Sequence, residues 1–229
     1  MDFFKDLIRD TTDLLQGAKR RDYPYTPGKA WRDIGRNEVI LQRDTAVELN
    51  GVGFNLITSE PVENGIGVYG DELYAIHGSR RFARVCLIGL DDTKDEQEAY
   101  DLIRKIEYTK YHCFPEGYMM RTASRSHKEA VRVGKTAVQG GISFEKVGDL
   151  LIGAYLKNPA VKGVKILFLT DETLDYASLE KIAVKNHAVT EALNHIMNSV
   201  NFDCSTCKLK PVCDEVEGMR ELHFKRAGM

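Results

Sequence analysis

The sequence predicts an α/β protein: a mixed-sheet α/β sandwich with an N-terminal amphipathic helix and a C-terminal cysteine-rich metal-binding tail. Three observations predict it. Short apolar runs such as Val85-Cys86-Leu87-Ile88 and Val164–Leu169 alternate with longer stretches of helical period across residues 82–200. Residues 2–17 place Phe3, Phe4, Leu7, Ile8, Leu14 and Leu15 on one helical face, with Asp, Lys and Arg on the other. Three of the chain's five cysteines fall between positions 204 and 213. The chain accordingly divides into a helix and linker at 1–34, an α/β domain at 35–200 and a cysteine tail at 201–229.

The N-terminal helix reads as docked, on its own domain or on a partner, because the basic run Lys19-Arg20-Arg21 is too short to favour a membrane surface. Residues 22–32, with Pro24, Pro27 and Gly28 among aromatics, read as an ordered linker anchored by Trp31, the single tryptophan. Residues 38–58 read as a hairpin turning at Asn50-Gly51, a dipeptide suited to positive φ angles. Gly65 to Gly70 spells G-x-G-x-x-G, but Asp71 to Gly78 reads as a further strand and turn rather than the helix a dinucleotide fingerprint requires. These glycines are read as turn residues.

Phe82–Leu90 is predicted as a buried strand with Cys86 a core thiol. Asp91–Asp95 supplies turn and cap residues for a helix reaching about Tyr111. Helices are then predicted over 125–139 and 144–157, joined at Gly140-Gly141, the second capped by Ser143. Val164–Leu169 is a buried strand. Residues 175–200 form the longest helix, which delivers the chain directly to the cysteines.

Cys204 and Cys207 are separated by two residues and Cys213 follows after five more. Soft thiolates at this density select an iron–sulfur cluster, a four-iron cubane, or as the alternative zinc. An odd number of closely spaced cysteines argues against a disulfide. The candidates for a fourth ligand are His223, nine intervening residues later and beyond a turn predicted at Gly218, and Cys113, far upstream, with an open iron position as the further alternative. The ordinary reading of such cysteines is as unligated thiols, and of a lone C-terminal histidine as a solvated one.

Net charge is −2 with charged residues at 29%, which argues against a nucleic-acid surface held by bulk basicity. No apolar run approaches the roughly 18 residues of a membrane span. The N-terminus lacks the apolar core of a signal peptide. Together with a thiolate site, this predicts a cytoplasmic protein.

Val131-Arg132-Val133-Gly134-Lys135-Thr136-Ala137-Val138 and Gly141-Ile142-Ser143-Phe144-Glu145-Lys146-Val147-Gly148-Asp149-Leu150-Leu151 resemble acetyl-CoA synthase, the β subunit of the carbon monoxide dehydrogenase/acetyl-CoA synthase complex, in its middle domain. Val164 to Glu172 and the long helix into Cys204-Ser205-Thr206-Cys207 continue the resemblance, which spans about residues 45–213. It implies an iron–sulfur protein of one-carbon metabolism, in which Cys204, Cys207 and Cys213 correspond to cluster ligands and His223 stands where the family has a fourth cysteine. The family spaces its third cysteine further downstream; here that gap is five residues. Its nickel-holding Cys-Gly-Cys and its N-terminal domain have no counterpart here. The resemblance therefore implies an accessory or partner-docking protein rather than a complete synthase, with nickel not expected. The implied partners are a corrinoid protein or a dehydrogenase/synthase-type subunit. A zinc-stabilised interaction module, or a subunit completing an active site with another chain, are the alternative functions. The cysteine spacing also resembles auxiliary-cluster segments of radical-SAM maturases, which nothing else in the chain matches.

Arg125, Lys128, Arg132 and Lys135 recur at spacings of three and four, which on a helix would place them on one face, with Arg121 just before it. The ordinary reading is a solvated charged face. The resemblance places Arg132 and Lys135 in a stretch matching the family's CoA-binding middle domain. With Arg125, and with Arg121 joining them, they are expected to bind CoA through its phosphates; an acidic protein partner is the alternative.

Overall fold

A computed structural model describes residues 3–91, 95–123, 127–197 and 208–220. Its frame is a seven-stranded mixed sheet formed by β1 (Arg20–Pro24), β2 (Thr45–Thr58), β3 (Gly65–Tyr69), β4 (Gly78–Leu90), β5 (Tyr118–Ala123), β6 (Lys128–Gly134) and β7 (Val161–Leu169), in the order β1-β3-β7-β4-β2-β6-β5. β2 pairs with β4 and β3 with β7 in parallel; the other neighbours are antiparallel. All five residues of β3 are buried, as is almost all of β4 from Phe82 onward, so these segments read as unbroken apolar runs rather than alternating ones.

Asn50-Gly51 is not a turn. β2 runs through it as one strand of 14 residues, paired on both sides. The glycine is there for a close approach: a Cβ on Gly51 would lie 1.6 Å from the Phe82 carbonyl oxygen. Gly65 and Gly67 likewise lie within β3, and only Gly70, at φ +89°, turns the chain. After it comes a short 3₁₀ turn at Leu73–Ala75, not a strand.

The helices are α1 (Lys5–Leu14), α2 (Glu96–Thr109), α3 (Lys135–Gln139), α4 (Phe144–Leu156), α5 (Tyr176–Met197) and α6 (Lys210–Arg220). α1 docks on its own body against β2 and α5, burying Phe3, Phe4, Leu7 and Leu15. Trp31 anchors the linker as expected, its indole Nε1 donating to the Glu116 carbonyl at 2.7 Å. Asp95 caps α2 and Ser143 caps α4, accepting from the amides of Glu98 and Lys146. Glu72, 72 residues before α4 in the chain, also accepts the Phe144 amide at 2.9 Å. α4 lies on β3 and β7, with the Phe144 ring stacked on Phe168 at 4.6 Å and on Phe82 at 6.1 Å.

The helix expected over 125–139 is corrected. Lys128–Gly134 is β6, and only Lys135–Gln139 is helical. The burial pattern of β6 alternates, with Glu129, Val131 and Val133 inside, which is the period of a strand. Lys128, Arg132 and Lys135 therefore do not form one helical stripe. The expected turn at Gly218 is also corrected, since α6 passes through it.

Candidate functional site

The cysteine tail follows α5. Cys204, Cys207 and His223 lie outside the described residues; Cys213 lies inside them, near the start of α6. Only Lys208 and Leu209 separate Cys207 from that helix. α6 folds back on α5: Val216 is fully buried, Cys213 and Met219 pack on the core, and Lys185 Nζ stands 3.8 Å from Glu215. Cys213 is thus half-buried as the fourth residue of α6. Among the described residues no three His, Cys, Asp or Glu side chains converge to hold a metal ion. Cys113 has different surroundings: it belongs to the core, and burial pushes its thiol up to about 12.

A second constellation was not anticipated. Arg84 interrupts the apolar centre of β4 and points to the same face as its β2 neighbour Gly53. Its Nε and Nη2 donate to Glu129 Oε1 and Oε2 at 2.9 and 2.6 Å, and its Nη1 approaches Cys86 Sγ at 2.9 Å. Both side chains of the ion pair are 0% exposed. Gly53 makes room for them, since a Cβ there would lie 2.0 Å from Glu129 Oε2.

The polar chain continues toward the surface. Tyr155 donates to Asn55 Oδ1 at 3.0 Å, and Asn55 Nδ2 donates to Glu107 at 2.8 Å. Buried Lys110 lies 3.8 Å from Glu107 and 3.4 Å from the Gly53 carbonyl. The regular β2–β6 pairing ends at Val52. Beyond it, the His127 carbonyl accepts the Gly53 amide and Asn186 Nδ2 donates to the Asn55 carbonyl, so side chains and a turn satisfy this edge of β2.

His127 holds φ at 48° and packs edge-on to His187, with 5.5 Å between ring centroids. Burial, then the nearby Lys110 charge, depresses its ring to about 3, so it is neutral near pH 7. The Asn186 side chain alongside opposes this shift, and among the described residues neither ring nitrogen meets a partner at close hydrogen-bonding geometry. Above lies a cleft of 300 Å³ between α2 and α5, walled by Tyr100, Tyr108, His187 and Glu191.

Chemically this network is a clamp rather than a reactive centre. Burial works against the Arg84 charge, but Glu129 more than restores it and holds the guanidinium well above its usual range. Burial raises the Cys86 thiol despite the opposing Arg84 charge, so it remains protonated. The sequence signal was Arg84 itself, one charge in the middle of a strand otherwise fit for the interior.

Of the residues expected to bind an anion, Arg132 donates to Glu48 at 2.9 Å and Lys135 Nζ donates to the Arg43 carbonyl at 2.8 Å. Arg121 is exposed on β5 opposite Ala130; Arg125 lies outside the described residues. Among the described residues no helix is long and apolar enough to cross a membrane. No family model matches the chain, and a search of curated proteins finds no match.

Proposed function

We propose that the chain is an iron–sulfur protein of one-carbon metabolism, similar to acetyl-CoA synthase and acting as an accessory or partner-docking subunit. The observation that supports this best is the return of α6 onto α5, which holds Cys213 in the first turns of α6, a helix separated from Cys207 by two residues in the sequence. Three thiolates at this spacing in the sequence suit a four-iron cluster or zinc. The stretches that carry the resemblance form consecutive elements, β6 through α4 followed by β7 and α5.

The test is the metal and sulfide content of protein purified without oxygen. Brown protein with stoichiometric iron and sulfide supports the cluster, and colourless protein with zinc supports the interaction module instead. Replacing Cys204, Cys207 or Cys213 by Ser should remove the metal in either case. Stoichiometric metal in all three single variants overturns the site.

A further inference from the structure

The strand register brings together basic residues that are remote in sequence. Across β4, β2, β6 and β5, Arg81 stands beside Asn50, Asn50 opposite Ala130 and Ala130 opposite Arg121. Paired residues share a sheet face, so these four form one row. Lys128 and Arg132 lie two residues to either side of Ala130 along β6, on the same face. Arg81, Arg121, Lys128 and Arg132 therefore mark the corners of a diamond whose diagonals are each about 14 Å, from strand spacing and residue rise.

Asn50 and Ala130 form its floor, and both are exposed, as are Arg81, Arg121 and Lys128. The start of α5 borders this part of the sheet at one corner, where Asn50 and Arg81 share a cleft with Tyr176, Ala177 and Glu180. Arg132 pairs with Glu48, the one carboxylate in the neighbouring row. With Glu48 inside it and Glu180 at its edge, the patch carries four cations and two anions on a chain whose overall charge is −2.

We infer that this sheet face docks an acidic segment of a partner protein. Charge complementarity selects an anionic occupant. The cations stand across diagonals of about 14 Å, wider than one small anion can bridge. The rows of the patch present no exposed aromatic ring on which a single-stranded nucleic acid would stack. Cations set several ångströms apart instead match carboxylates distributed along a polypeptide. The inference is independent of the metal at the cysteine tail.

The test is fluorescence anisotropy with a labelled octaglutamate peptide, and with labelled oligothymidylate and inorganic pyrophosphate as competitors. The peptide should bind at low ionic strength and weaken as salt is added. Arg81→Gln with Arg121→Gln should weaken it about tenfold, because two screened charge contacts are lost. Arg104→Gln with Lys105→Gln, on α2, should leave it unchanged. All four positions are exposed, so folding is preserved, and thermal melts would verify this. The inference is overturned by no binding at about 1 mM peptide, by equal losses in the two double variants, or by tighter binding of oligothymidylate or pyrophosphate than of the peptide.

Discussion

Arg84 and Glu129 lie 45 residues apart and meet through two parallel hydrogen bonds inside the sheet, with neither side chain exposed to solvent. Removing one partner strands the other's charge. Glu129→Leu alone should therefore cost about 3–5 kcal/mol in urea unfolding. Combining it with Arg84→Met should recover much of that loss, because the remaining site is apolar and of similar volume. A double variant less stable than Glu129→Leu alone would show that the pair adds more than it costs to bury.

His127 gives stability an acid-side dependence. Its folded value is about 3 and its unfolded value about 6.5. Between these the unfolded chain takes up a proton that the folded chain refuses. Stability from this residue is full above pH 6.5 and is lost as pH falls toward 3. From pH 7 to pH 5 wild type should lose about 2 kcal/mol more than His127→Gln. The comparison removes the opposing effect of Glu72, whose carboxyl is raised by burial. Parallel pH curves for the two proteins would refute the assignment.

Gly51 separates a strand from a turn. Gly51→Ala drives a methyl onto the Phe82 carbonyl and should destabilise by more than about 2 kcal/mol. Gly28→Ala meets nothing within 4 Å and should change the thermal midpoint little. Had Asn50-Gly51 formed an exposed turn, the alanine would cost only its backbone strain.

Thiol labelling should distinguish the core cysteines from the tail. Cys86 and Cys113 are buried and protonated, so neither should react with a maleimide near pH 7 until the protein unfolds. Mass spectrometry of labelled peptides would check this. Rapid native labelling of either would contradict the packing.

The strands and helices with strong periodicity were legible: β4, β7, α2, α4 and α5 follow from apolar runs, caps and 3.6-residue spacing. What misled was chemistry set by distant neighbours. Glu129 breaks the apolar alternation of β6, and only Arg84, on another strand, makes its burial tolerable. The spacing of basic residues then looked helical. Gly51 looked like a turn because the approaching Phe82 carbonyl is invisible to local reasoning. At the candidate site, the cysteine spacing was readable directly, whereas the buried clamp required two residues that only the register brings together.

The position of β7 has a consequence for synthesis. β3 and β4 follow one another in sequence, yet β7 lies between them, pairing with both. Until residue 169 has left the ribosome, those two strands each present an open, apolar edge. The nascent chain must keep them apart from one another and from other chains over nearly eighty residues of elongation. Assembly is thus led by late, long-range pairing, and a ribosome stalled before β7 would release a chain primed to aggregate.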